Sequence, residues 1–366
     1  MLVTPGLLEE VKKYGAFDIS ACFNCGNCTA VCPLSKEDAS FPRRLIRAGQ
    51  VGMEDRLVSA IEPWQCYYCG ECSQTCPREA NPGEYMMALR RYLIAKYDIT
   101  GLSKIFYKNS WLQIFLSLGL FVLALALYNG YTGDFGRLAG RIEMAFPVYV
   151  TIALAGYLLN MYRYAIVKPL GKIALSFKPR HIYETFYHGF TQANFTGCEE
   201  TDWVRWLSHL LVMSGYTLTL LISNLHLLEP LNRHYTPFAP VSLLVWYAGS
   251  AIIVGGGAMS LRRLFKSAES SKFSHPSDWL FVIMLFLIGI SMLATHFVNV
   301  AYGPADPLLA KLYRINIAIE TVWIIAVVPF TKWIHIFFRP LAIYFQHVKK
   351  EAAAGTAFSF QVGRAK

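Results

Sequence analysis

The stretch CYYCGECSQTCP at 66–77 repeats the spacing of an earlier one, CFNCGNCTAVCP at 22–33. Each is a C-x2-C-x2-C-x3-C-P run, a spacing that presents three thiolates to the corners of a cubane 4Fe-4S cluster and sends the fourth cysteine to the other cluster. One cluster is therefore expected on Cys22, Cys25, Cys28 and Cys76, and the other on Cys66, Cys69, Cys72 and Cys32. With ligation crossed in this way, the two halves cannot fold separately. Zinc ribbons and redox dithiols use single C-x2-C pairs, yet a zinc site rarely needs a third cysteine at the same spacing followed by C-P. Two complete copies argue against zinc and against disulfides. The remaining cysteine, Cys198, reads as an ordinary buried or interfacial thiol, and the whole set fits a reducing compartment. The polar start MLVTPGLLEEVKKYG has no signal-peptide hydrophobic region, which an exported disulfide protein would need.

Composition adds a second environment. The chain has 366 residues, 54% hydrophobic and only 16% charged, and a mean hydropathy of +0.35, too apolar for a soluble protein of this size. Part of it must lie in lipid. The net charge of +10 does not point to nucleic acid, because the basic residues sit mostly beside long apolar runs, as membrane topology predicts.

Residues 1–105 form the expected soluble domain. Between the cysteine runs, Leu45, Ile46, Leu57, Val58 and Ile61 recur at helical spacing around a Gly49/Gly52 break, which predicts two short helices instead of a β-hairpin. NPGEYMMALRRYLIAKYDI predicts another helix, with Pro82 in its first turn and Met86, Leu89, Leu93 and Ile94 on one face. Residues 106–345 form the membrane domain and 346–366 a cytoplasmic tail, read as mobile from Glu351. Six apolar segments, near 110–128, 146–167, 203–226, 240–261, 278–300 and 312–338, are long enough to span a hydrocarbon core of about 30 Å. The fold class is thus all-α: a helical two-cluster ferredoxin followed by a six-helix transmembrane bundle.

Lysine and arginine gather at alternate ends of the spans (Lys104 and Lys108; Lys168, Lys172, Lys178 and Arg180; Arg262, Arg263, Lys266 and Lys272; Arg339, Lys349 and Lys350). That bias places both termini and the ferredoxin on the cytoplasmic side of the membrane. In the inner loop 168–202, IYETFYHGFTQANF reads either as an interfacial helix or as a lid over the junction, with His181 and His188 as interfacial or hydrogen-bonded histidines.

An ionisable residue inside a span is costly and therefore a functional candidate. His209 and His335 are expected at the inner level of the bundle, His226 and His296 at the outer. Two histidines at one depth on different helices are what a bis-histidine b haem needs, so two levels would carry electrons across the bilayer. Gly255, Gly256 and Gly257 either admit a porphyrin or allow close helix packing.

The motif W-x-C-x2-C-x2-C-x3-CP from Trp64 resembles the small iron–sulfur subunit of heterodisulfide reductases. The spans resemble the cytochrome b membrane subunit of that system and of respiratory nitrate reductase, through WLSHLL around His209, GGGAMSLRRLF, and VPFTKWIHIFFRP around His335. Fusion of both parts resembles the C-subunit family of quinone-interacting membrane-bound oxidoreductase (Qmo) complexes of bacteria and archaea. That resemblance implies electron exchange between membrane menaquinone and cytoplasmic flavin/iron–sulfur subunits that serve adenylylsulfate reductase in dissimilatory sulfur metabolism. The chain departs from nitrate-reductase-type cytochromes where these carry further histidines, having Asn316 with Ile317, and Thr219, in those regions. That departure leaves either an inner haem alone or an outer haem whose ligands have changed to His226 and His296. A heterodisulfide-reductase-like or sulfite-reduction-linked complex, or a haem-free anchor for a ferredoxin, are the alternatives. No flavin or nucleotide fingerprint is present, since the Gly-rich run is intramembrane.

Quinone chemistry moves protons as well as electrons. Glu320, in RINIAIETVWIIAVV, is costly in a span unless protonated or paired, which suits a group that accepts and passes on a proton. Asn316, one turn away, would hydrogen-bond Glu320 or a quinone carbonyl. The alternative is a satisfied packing residue.

Overall fold

The computed structural model describes residues 3–36, 40–191 and 202–361; Cys198 lies outside them. Both cysteine runs adopt the same backbone. In each, the residue before the second cysteine and the glycine after it are left-handed: Asn24 and Gly26 (φ 68° and 95°), Tyr68 and Gly70 (φ 55° and 99°). A one-turn helix then carries the third cysteine, Asn27–Ala30 in the first run and Glu71–Gln74 in the second. Backbone amides turned in this way form a concave array suited to an anionic cluster. Gly70 is required twice over, by its φ and because a methyl group there would lie 2.6 Å from Glu269 Cβ.

Between the runs, the break at Gly49 and Gly52 separates Arg43–Gln50 from Glu54–Val58, as the spacing predicts. Helix α1 (Pro82–Tyr97) starts on Pro82, also as predicted, but buries most of its surface instead of one face. It is wedged between the cysteine lobe and the membrane helices, and its buried residues include Glu84 and Arg91, paired at 3.1 Å.

Six helices are long and apolar enough to cross a membrane. They are α2 (Ser110–Gly130) and α3 (Phe135–Tyr162), followed, after the non-spanning α4 (Pro179–Thr191), by α5 (Trp203–Asn224), α6 (Pro240–Leu264), α7 (Pro276–Tyr302) and α8 (Pro307–Val322). Exposed Tyr183, Phe186, Tyr187 and Phe190 give α4 the surface of an interfacial helix.

Two spans differ from the sequence reading. Helix α3 begins eleven residues before 146, because Asp134 caps it by accepting the Arg137 amide at 3.1 Å. The last span, expected to run to 338, ends at Phe330. A π turn (Trp323–Val327) leads into Pro329, whose missing N–H and bulky ring stop the helical ladder, and Thr331 is extended. His335 therefore opens a separate helix, α9 (His335–Ala353), and does not sit within a span. The expected domain boundary at 345/346 falls inside α9. Within the segment read as mobile, Phe358–Gln361 forms β2, antiparallel to β1 (Lys172–Leu175).

In the bundle α5 packs on α6, α6 on α7, α7 on α8 and α8 on α2. A methyl group on Gly215 would lie 2.7 Å from the Ala248 carbonyl oxygen, and one on Gly255 2.6 Å from that of Ser208, so small residues set the α5–α6 approach. Helix α9 turns back beneath the ferredoxin. Its fully buried Phe338 has ring centroids 4.7 Å from Trp64 and 5.8 Å from Tyr97. Gln65 Nε2 donates to Gln346 Oε1 at 2.8 Å and Lys349 Nζ to the Ser59 carbonyl at 3.1 Å.

Candidate electron-transfer site

Cys32, from the first run, lines one cavity together with Cys66, Cys69 and Cys72 of the second. Cys76 lies with Cys22, Cys25 and Cys28, close enough for their charges to interact. The fold thus brings together the two crossed quartets, and Cys72 also faces Cys28, so the quartets adjoin. Burial, reinforced by neighbouring thiols, pushes Cys28 up to about 11 and Cys32 up to about 12. Such thiols give up their protons only when iron compensates the charge, which couples cluster assembly to folding.

Beside the second quartet, a cavity of about 260 Å³ lies between the ferredoxin and helices α5, α6, α7 and α9. His209 of α5 and His335 of α9 both line it, their ring centroids 6.0 Å apart and their planes at 72°. A metal bonded at about 2 Å to one nitrogen of each ring would set the centroids about 6 Å apart. His335 Nδ1 contacts the Lys332 carbonyl. A carbonyl only accepts, so Nδ1 carries the proton and Nε2 keeps its lone pair, the tautomer a ligand needs. Burial first, then Arg339 and His209, hold His335 well below the ordinary imidazole range, so the ring is neutral.

The rest of the wall suits a flat apolar ring that bears carboxylates, which describes b haem. Trp64, Val212, Tyr216 and Leu285 supply apolar surface, and seven cations, Arg90, Arg91, Arg205, Arg262, Arg263, Lys332 and Arg339, line it with two carboxylates, Glu84 and Asp278; Arg91 pairs with both of these and Arg262 with Asp202. Gly255 packs against α5, as the close-packing reading of the glycine run expects, whereas Gly256 lines this cavity.

Three of those arginines also grip the cluster loop. Arg205 Nη1 donates to the Tyr68 carbonyl at 2.7 Å and its Nη2 to that of Tyr67. Arg339 Nη2 donates to the Cys66 carbonyl at 2.9 Å, and Arg90 reaches the same oxygen. The backbone at 66–68 therefore serves both sites, as wall of the histidine cavity and as part of the second quartet. Sequence reading missed these arginines, although a signal existed: Arg205 and Arg339 each lie one helical turn from His209 and His335.

At the other end of the bundle, Asn316 Nδ2 donates to Glu320 Oε1 at 2.8 Å, the contact expected from their spacing, and Ser291 Oγ donates to Asn316 Oδ1 at 2.8 Å. His226 follows the end of α5 with φ 49°, its Nδ1 3.7 Å from Glu143 Oε2. His296 is fully buried beside the rings of Trp246 and Tyr235 (4.8 and 5.9 Å), and among the described residues neither of its nitrogens has a hydrogen-bond partner. Among the described residues, His226 and His296 make no ring contact with each other. Glu143 escaped the sequence reading because that span was begun at 146. His181 shares a hydrogen bond with Ser176 Oγ (2.7 Å) and stacks on His347, while Nδ1 of His188 has no hydrogen-bond partner among the described residues.

Residues 18–80 match the family model of a 4Fe-4S dicluster domain, a span that includes all eight motif cysteines. The N-terminal lobe is a 4Fe-4S dicluster domain. Over 96 residues the chain is 35% identical to a protein of Archaeoglobus profundus that is itself like the heterodisulfide reductase C-subunit, covering 26% of this chain and 51% of that one. Over 154 residues it is 28% identical to the E-subunit of the dihydromethanophenazine:CoB–CoM heterodisulfide reductase of Methanosarcina thermophila, covering 38% and 58%. Over 56 residues it is 35% identical to the C-subunit of the H(2):CoB-CoM heterodisulfide,ferredoxin reductase of Methanothermobacter thermautotrophicus, covering 15% and 30%. The chain thus spans between about a third and just over half of the length of these relatives. No solved structure matches it.

Proposed function

We propose that the chain is the membrane electron-transfer subunit of an oxidoreductase complex, passing electrons between menaquinol and cytoplasmic flavin/iron–sulfur subunits through b haem and two 4Fe-4S clusters. The observation that carries this reading is the shared wall: the backbone at 66–68 belongs to the second cysteine quartet and borders the cavity where His209 and His335 face each other. Bound haem and clusters would supply one-electron redox chemistry there. His209 and His335 would hold the haem iron, the cavity arginines would pair with the carboxylates of the ring, and Arg90, Arg205 and Arg339 fix the cluster loop against it. Glu320 and Asn316 are the groups proposed to meet the quinone. A second haem on His226 and His296 would use one nitrogen of His296, whose two ring nitrogens have no hydrogen-bond partner among the described residues. The distribution of lysine and arginine supports a cytoplasmic ferredoxin.

A visible spectrum of membranes containing the chain tests this directly. Reduction should bring up b-type α-bands, and His209→Ala and His335→Ala should each abolish the same haem while dithionite still reduces the clusters. Absence of α-bands in the parent would leave only an anchored ferredoxin.

The soluble partner is proposed to be a flavin/iron–sulfur assembly that serves adenylylsulfate reductase, on the strength of the Qmo-like fusion of domains. The names of the similar proteins favour a second reading, a heterodisulfide-reductase-like partner. Co-purification from the native membrane followed by peptide identification separates the two.

A further inference from the structure

The two cysteine runs share a backbone but not a setting. In the second run, α5 and α9 cover the loop that follows the first cysteine. The Arg339 guanidinium carbon lies 4.2 Å from the Tyr67 ring centroid, and Arg205 donates to the carbonyls of Tyr67 and Tyr68. Glu269, from the segment between α6 and α7, closes over Gly70. The corresponding residues of the first run are Phe23, Asn24 and Gly26. Phe23 is 60% exposed, and among the described residues no donor reaches the carbonyl of Phe23 or of Asn24. The atom nearest to a methyl group on Gly26 would be Arg43 Nη1 at 3.3 Å, the end of an exposed side chain.

The first loop holds its shape without such a cover. Gln50 Nε2 donates to the Cys22 carbonyl at 2.8 Å, Asn24 Nδ2 to Gln50 Oε1 at 3.2 Å, and Arg43 Nε to Asn24 Oδ1 at 2.8 Å. The helix Arg43–Gln50 thus pins the loop from within the domain. Here too the first quartet reaches the surface, since Cys25 alone of the eight motif cysteines is exposed. The second quartet adjoins the histidine cavity, so the first is the one left to meet another protein. Aromatic rings and arginines are the residues that most often anchor protein interfaces, and a guanidinium over a ring gains further from the ring's negative face.

We propose that the loop at 23–25 is the docking face for the soluble electron-transfer subunit, which covers it as α5 and α9 cover 67–68: with an arginine over the Phe23 ring and donors to the carbonyls of Phe23 and Asn24. The proposal rests on the reading that the chain exchanges electrons with such a subunit. The internal repeat supplies the occupant's chemistry, because the same backbone already meets guanidinium groups where the second quartet borders the histidine cavity. One electron at a time crosses at Cys25: the cluster held there is oxidised as a flavin or iron–sulfur centre of the partner is reduced, or the reverse.

The test uses the complex purified from its native membrane through a tag on the full chain. Phe23→Tyr, which copies the second run, should retain the flavin/iron–sulfur subunit through a salt wash as the parent does. Phe23→Lys sets like charge against the guanidinium and should weaken retention about tenfold or more, and Phe23→Glu by less. Paramagnetic resonance of both clusters should be unchanged in all three. Hydroxyl-radical footprinting of the parent should find Phe23 protected in the complex and oxidised once the soluble subunits are stripped, a result independent of how the variants fold. Parent-like retention by Phe23→Lys, or equal losses in the Lys and Glu variants, overturns the proposal. So does protection of Phe23 that persists in the stripped chain, where a second copy or another part of the same chain covers the ring, and so does a ring oxidised equally in both states. A parent that retains no flavin or iron–sulfur subunit overturns the electron-transfer reading itself, and the docking face with it.

Discussion

Arg91 links the ferredoxin to the membrane bundle, and replacing it with methionine exposes how that junction is held. Its Nη1 donates to Glu84 Oε1 at 3.1 Å and to the Tyr14 carbonyl at 2.8 Å, and its Nη2 to Asp278 Oδ2 of α7 at 3.2 Å. All three charged side chains are buried. The two carboxylates are unequally placed to lose it. Asp278 keeps Lys332 Nζ at 3.0 Å, whereas among the described residues Glu84 keeps only the Tyr68 hydroxyl at 3.2 Å. Arg91→Met therefore strands Glu84, and breaking a buried pair in this way costs about 3–5 kcal/mol. The pH dependence follows. Burial already pushes Glu84 above the usual carboxylate range, partly offset by Arg91; without the arginine it moves further up. The folded variant then binds a proton that the unfolded chain releases, so its stability falls as pH rises through the folded-state value of Glu84. The deficit should be larger at pH 8 than at pH 6, and Glu84→Gln added to Arg91→Met should recover more than half of it. Denaturant midpoints in detergent, followed by cluster absorbance, measure these quantities. A loss below about 1 kcal/mol, the range of an exposed pair, or no recovery on adding Glu84→Gln, would refute the reasoning.

Crossed ligation predicts that Cys66→Ser and Cys32→Ser damage the same cluster, although the residues belong to different motifs; paramagnetic resonance of each reduced variant should show the same signal altered, and loss of different signals would contradict the quartets described. Gly255→Ala should drive α5 and α6 apart, since its methyl group meets the Ser208 carbonyl oxygen at 2.6 Å; overpacking of this kind costs about 1–3 kcal/mol, and haem affinity should fall while both cluster signals persist. Gly256→Ala is expected to be milder, because the nearest atom to its methyl group would be Phe286 Cδ2 at 3.5 Å, and equal stability losses in the two variants would count against the close-packing account.

Local chemistry was legible along the chain. Sulfur spacing is a short-range property, so the cysteine runs alone implied two clusters with shared ligands, and the apolar lengths alone implied six spans. The Asn316–Glu320 contact was also readable, because one helical turn fixes which side chains meet. What depended on how the helices close on one another was not. Pro329 ends the last span and turns α9 back under the ferredoxin, and that turn sets His335 opposite His209, puts Phe338 against Trp64 and brings Arg339 to the Cys66 carbonyl. The burial of Glu84 and Arg91 on a helix that reads as amphipathic has the same origin: a helix wedged between two layers keeps little solvent face, and its charges persist there because Asp278, 187 residues further along the chain, completes the pair. Glu143 reaches His226 only because α3 and the end of α5 lie in one bundle. Sequence periodicity records which face of a helix is apolar, while the partner of a buried charge is fixed by long-range packing, and only the tertiary structure specifies that.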